Sequence, residues 1–177
     1  MDFWFEVPGR PRGKERPRIV TDKATHKSHG ITPKQTKEYE KWIRLQYQIT
    51  YMQYPEKWAL EKVPIQIVVL QCMPIPKRAT KIERTRMLQG VFLPVVKPDI
   101  DNVCKAVLDA LHGLAYKDDN QVVELLAFKK YVEGNGAVCV QIAPALHPSP
   151  FLHIIQKSMP AIMSERYFNT NSEMKGG

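Results

Sequence analysis

The chain has 177 residues, 44% of them hydrophobic and 25% charged, which suits one soluble domain with room for a real core. Lys and Arg number 26 against 18 Asp and Glu, and the resulting +8 favours a polyanionic partner, either nucleic acid or an anionic membrane surface. No stretch approaches the ~20 apolar residues of a membrane span, and the acidic start MDFWFEVPGR does not read as a secretory leader. Cys72, Cys104 and Cys139 lack any C-x-x-C spacing, so reduced thiols in a cytoplasmic protein are expected rather than disulfides or a zinc site.

In chain order, DFWFEVP (2–8) alternates apolar and polar residues as a short strand does. PGRPRGKERPR follows, then TDKATHKSHG, which reads as a mobile loop whose His26 and His29 are solvated rather than metal ligands. A helix is expected from Thr32 as N-cap, with Pro33 in the first position and Gln35 closing a capping box. Its apolar face is Tyr39, Trp42, Ile43, Tyr47, Tyr51 and Tyr54. VPIQIVVLQCM (63–73) has the Val and Ile content of a central strand, and residues 74–90 form a basic loop or short helix. A second helix is predicted over Asp99–His112. QVVELLAFKKYVEG and AVCVQIAP then read as strands joined in a hairpin at Gly134-Asn135-Gly136. These elements predict an α+β fold, a mixed β-sheet with packed helices, as a single compact domain over 1–143. Residues 144–177 form a C-terminal extension, with a short helix in FLHIIQKSMPAIM and a disordered end.

The stretch KPDIDNVCKAVLDALHGLAYKDDNQVVEL (97–125) gathers Asp99, Asp101, Asp109, Asp118 and Asp119 in a basic chain. On the predicted helix Ile100, Val103, Val107, Ala110, Leu111 and Leu114 share the core side, while Asp101, Lys105 and Asp109 step by four along an exposed ridge. Each acid has an ordinary structural account: a helix cap at Asp99, an i,i+4 pair for Asp101 and Lys105, a turn at Asp118-Asp119-Asn120. Together they suggest another. Two carboxylates ~4 Å apart repel by ~4 kcal/mol at an effective dielectric of about 20, so a shared site makes sense with a cation in it. Oxygen ligands select a hard ion, Mg²⁺ or Mn²⁺, and in a basic protein that combination points to phosphodiester chemistry, with Lys105 placed to stabilise transition-state charge.

The ordered motifs K-P-D-I-D-N-V-C-K, D-A-L-H-G and D-D-N-Q-V, with the earlier G-R-P-R-G-K-E-R-P-R and T-P-K-Q-T-K-E-Y-E, resemble the RusA family of Holliday junction resolvases over roughly residues 3–143. The resemblance implies a Mg²⁺-dependent endonuclease, often prophage-encoded, that cuts branched DNA (four-way junctions) as a homodimer in recombination and repair. It implies Asp99, Asp101 and Asp119 as catalytic, metal-binding carboxylates and Lys105 as the catalytic lysine. Asp118 and Gln121 match flanking positions, and Asp109 falls in the D-A-L segment, where a structural role competes with a catalytic one.

Arg10, Arg12, Lys14, Arg16 and Arg18 occupy alternate positions, so an extended segment would present them as one comb along DNA phosphates, reading backbone and shape rather than bases. Lys77, Arg78, Lys81, Arg84 and Arg86 form a second candidate, against which stands the account of two solvated loops. The competing function is a non-catalytic, basic, branched-DNA-binding protein. A nucleotide phosphotransferase is disfavoured because no G-x-x-x-x-G-K-[ST] loop is present.

Overall fold

The computed structural model of the chain describes residues 3–21, 25–26, 28–53, 63–145, 150 and 154. It divides into two units, Met1–Pro144 and Ala145–Gly177, and the elements named below belong to the first. The helix expected in 151–163 lies outside the described residues apart from Ile154, and the end expected to be disordered lies wholly outside them.

Strand β1 (Phe3–Pro8) buries Phe3, Phe5 and Val7 and exposes the residues between, as the period-two pattern requires. It pairs antiparallel with β6 (Ala137–Pro144), β6 pairs antiparallel with β4 (Ile65–Pro74), and β4 pairs parallel with β5 (Val122–Val132). The sheet order β1-β6-β4-β5 is therefore mixed, and the fold is α+β. β4 has a strand on both sides, which is why its sequence is an almost unbroken apolar run. Helix α1 (Lys34–Gln53) buries Thr36, Tyr39, Ile43 and Tyr47, and Tyr47 sets its ring edge-on to Phe3 and Phe5 at 5.3 and 5.6 Å. Helix α3 (Ile100–Leu111) buries Val103, Cys104, Ala106, Val107, Ala110 and Leu111 in the same core. Helix α2 (Lys81–Leu88) has no fully buried residue; Met87 packs partly buried against Met73, Ile75 and Tyr131, and a capping box of Thr80 with Glu83 closes its start.

Three sequence expectations are corrected. β5 and β6 do not form a hairpin, because β4 lies between them. The glycines serve a crossing instead: Gly136 has φ 79°, and a Cβ there would lie 2.5 Å from the Cys72 carbonyl oxygen, so the chain passes tightly over the end of β4. The polar stretch after Arg18 is not simply a loop but holds a two-stranded ribbon, β2 (Arg18–Thr21) with β3 (Ser28–Ile31), tied by a 2.8 Å bond between the Thr21 and Ser28 hydroxyls. Its apolar residues, Ile19 and Val20, are exposed, so no buried pattern announced it. Helix α1 starts slightly later than expected, with the Lys37 N–H donating to the carbonyl of Pro33.

Candidate active site

The acidic helix is α3, and Asp99 and His112 are the residues that flank it. Asp99 occupies the N-cap with extended backbone, yet its carboxylate accepts no capping bond from its own helix. Among the described residues the Asn102 side-chain amide approaches it, at 3.5 Å. Asp118 behaves in the opposite way. Its carboxylate accepts from the Asn120 N–H at 2.8 Å and, with Gln121, completes a capping box around the single 3-10 turn Asp119–Gln121. Asp118 and Gln121 are thus committed to local structure, whereas Asp99 keeps its oxygens available.

The backbone around Asp99 is held from below by two residues that the sequence reading did not single out. Gln71 on β4 and Lys129 on β5 are cross-strand partners in the parallel pair. The Lys129 ammonium donates to the carbonyls of Val96 and, at 2.8 Å, Pro98. Gln71 is fully buried and donates its amide to the Ile100 carbonyl at 3.0 Å. Carbonyls on both sides of Asp99 are therefore fixed to the sheet. A glutamine inside the run VVLQCM was the one available signal, since a buried amide must find partners; Lys129 gave none.

The basic arm has neither helix nor strand over residues 11–17 and is bonded to α3 and α1. The Lys14 N–H donates to the Asn102 carbonyl at 2.9 Å, and the Glu15 N–H to the Thr36 hydroxyl at 3.1 Å. Gly13 packs so closely that a Cβ would meet the Asn102 Cβ at 2.9 Å. Arg10, Arg12 and Arg16 are exposed. Lys14 is half-buried, with its ammonium bonded to the Asp109 carboxylate and 3.9 Å from Glu40. Arg18 enters β2, and its side chain lies outside the described residues. Between this arm and the start of α3 runs a groove of about 420 Å³, lined by Arg10, Arg12, Lys97, Asp99 and Asn102 among others.

Asp101, Asp109 and Asp119 each have a local partner. Asp101 lies 3.6 Å from Lys105, both of them well exposed. Asp109 has Lys14. Asp119 stands 3.4 Å from His112 Nδ1, at the far end of α3, where it also raises the pKa of Tyr116 after burial has done most of that work. Asp119 is not gathered with Asp99 and Asp101. Among the described residues no three His, Cys, Asp or Glu side chains converge to hold a metal ion. The pair Asp99 and Asp101 still suits a hard divalent cation: Mg²⁺ is commonly held by one or two carboxylates plus water and substrate phosphate oxygens, and the uncapped Asp99 faces a groove open to such a phosphate.

Comparison with known proteins bears on this geometry. The family described as Endodeoxyribonuclease RusA matches residues 8–143. A Bacillus subtilis (strain 168) protein named Uncharacterized protein YqaN is 33% identical over 129 residues, which are 73% of this chain and 87% of that protein. Among the described residues no helix is long and apolar enough to cross a membrane. The arm, the acidic helix and the strand that follows it all fall within the matched span, and the chain belongs to the RusA endodeoxyribonuclease family.

Proposed function

We propose that this chain is a Mg²⁺-dependent endodeoxyribonuclease, with Mn²⁺ a substitute, that resolves four-way DNA junctions by paired cuts in recombination and repair. The observation that carries the reading is the uncapped Asp99 carboxylate at the edge of a groove walled by Arg10, Arg12 and Lys97. A divalent cation supplies Lewis acidity toward the phosphate and lowers the pKa of bound water. Asp99 and Asp101 would hold that cation, with the peptide around Asp99 kept in place by Gln71 and Lys129. Lys105, exposed beside Asp101, reaches the scissile phosphate and neutralises charge that develops on its oxygens. Asp119 is the third carboxylate that the family motif implies, and it stands beside His112 at the far end of α3, apart from Asp99 and Asp101. Arg10, Arg12 and Arg16 bind flanking phosphates, which positions the DNA without selecting a sequence. Lys14, bonded to Asp109, keeps the arm on α3. Opposed cuts require two such sites, which a two-fold homodimer supplies.

One observation favours the non-catalytic reading: Asp101 and Asp109 each lie beside a lysine, and Asp119 lies beside His112. Mapping nicks on a synthetic four-way junction and on a linear duplex of the same arm sequences separates the two. The nuclease reading expects symmetric nicks near the branch point, with the duplex left intact in the same Mg²⁺ buffer. Binding of the junction with no nick in Mg²⁺ or Mn²⁺ would overturn it.

A further inference from the structure

A second groove, of about 690 Å³, adjoins the first. Its lining includes Arg10, Pro76, Lys77, Val96, Tyr131 and Asn135, and no carboxylate is among the residues that line it. Arg10 lines both grooves, and Val96 of the second is followed in the chain by Lys97 of the first. The two grooves share Arg10 as a common lining residue, so a strand passing from one to the other along this channel would cross it. Arg12 and Lys97 line the first groove with Asp99, Arg10 lines both, and Lys77 lines the second, with the exposed Arg78 next in sequence.

The other arginines of this region are committed elsewhere. Arg84 is bonded to Glu133 at 2.6 Å, and the Arg86 guanidinium lies over the Phe92 ring, 5.6 Å from its centroid. The basic segment 77–86 is thus divided: Lys77 lines the second groove and Arg78 beside it is exposed, while Arg84 and Arg86 are engaged with Glu133 and Phe92. A channel with cations along its rim, no acid in its outer half and an apolar floor that includes Met73 and Ile75 fits a sugar–phosphate strand.

We propose that one DNA strand leaves the Asp99 site along this channel, with its phosphates passing over Arg10 to Lys77 and Arg78. This rests on the nuclease reading and adds a strand path to it. The test is junction binding as a function of salt, in EDTA so that nothing is cut, for wild type, Lys77→Ala/Arg78→Ala and the charge-matched Arg84→Ala/Arg86→Ala. Loss of two phosphate contacts flattens the slope of log K against log[salt] by about 1.8. That change is expected for the Lys77/Arg78 variant alone, with wild-type slope retained by the Arg84/Arg86 variant. Equal slopes for the two variants, whether flattened or not, overturn the path while leaving a wild type that cuts junctions intact. A wild type that binds no junction overturns the nuclease reading, and the path falls with it.

Discussion

Gly13 has no room for a side chain, since its neighbours across the contact are the Asn102 and Pro98 Cβ atoms at 2.9 and 3.3 Å from a built Cβ. Gly13→Ala therefore either costs about 1–3 kcal/mol by overpacking or lifts the arm from α3. The first outcome appears as a lower urea midpoint and the second as faster tryptic cleavage after Arg12 and Lys14; a variant unchanged in both would refute the close contact. Lys129 makes a similar argument for the catalytic side. With Lys129→Met the Val96 and Pro98 carbonyls lose a charged donor, an effect of about 1.5–3 kcal/mol if it were all felt at the site. Single-turnover cleavage is expected to fall about tenfold or more with junction affinity nearly unchanged, and an equal loss in both would show that Lys129 contacts DNA instead. At this scale the sequence made Asp99 and Asp101 visible through their spacing. It did not show that Asp99 is uncapped, that Lys14 turns to Asp109, or that Lys129 reaches under the loop, because each depends on which distant residue is nearby.

Helices α1 and α3 were legible because each carries one apolar stripe at helical period, and burial follows that stripe at Tyr39, Ile43 and Tyr47 and at Val103, Val107 and Ala110. Two members of those stripes, Trp42 and Ile100, are partly exposed at the margins; the Trp42 indole donates to the Pro8 carbonyl at 3.2 Å. Strand pairing was less legible. A Gly-Asn-Gly turn signals a reversal, and reversal is present, but local sequence cannot reveal that β4 occupies the space between the two strands. The polar face of α1 also yields a pH-dependent prediction. Burial raises the Glu40 carboxyl above the ordinary range, Asp109 adds to this, and Lys14 and Arg44 oppose it without cancelling it. One Glu40 oxygen is buried with no hydrogen-bond partner, so the long contact to Lys14 does not make ionised Glu40 a favourable group. A carboxyl whose folded pKa is raised favours folding at pH below its unfolded value near 4.5, and that contribution is lost as pH rises through the raised value. Glu40→Gln is therefore expected to keep or raise the melting temperature at pH 7, with the difference from wild type shrinking toward pH 4. A variant destabilised at pH 7 but not at pH 4 would mean that the Lys14 pair dominates.

Among the described residues, positive charge is arranged rather than spread evenly. The arm brings Arg10 and Arg12 to a groove that Lys97 and Asp99 also line, while Asp109 and Asp101 lie beside Lys14 and Lys105, and Asp119 beside His112. Composition announced an anionic partner, and the ordered motifs announced the family, since both survive without knowledge of contacts. What composition left open was the fate of each charge: in the exposed comb Lys14 is structural, and in the second basic segment Arg84 and Arg86 are engaged. The central claim is that Asp99 and Asp101 act together on a metal-assisted phosphodiester cleavage. The measurement that tests it most directly is cleavage and binding of one four-way junction by wild type, Asp99→Asn and Asp101→Asn, in Mg²⁺ and in EDTA. Paired nicks by wild type in Mg²⁺ only, with both variants binding the junction but cutting at least a hundredfold more slowly, are the predicted result. Cleavage that persists in EDTA or in either variant would contradict the account.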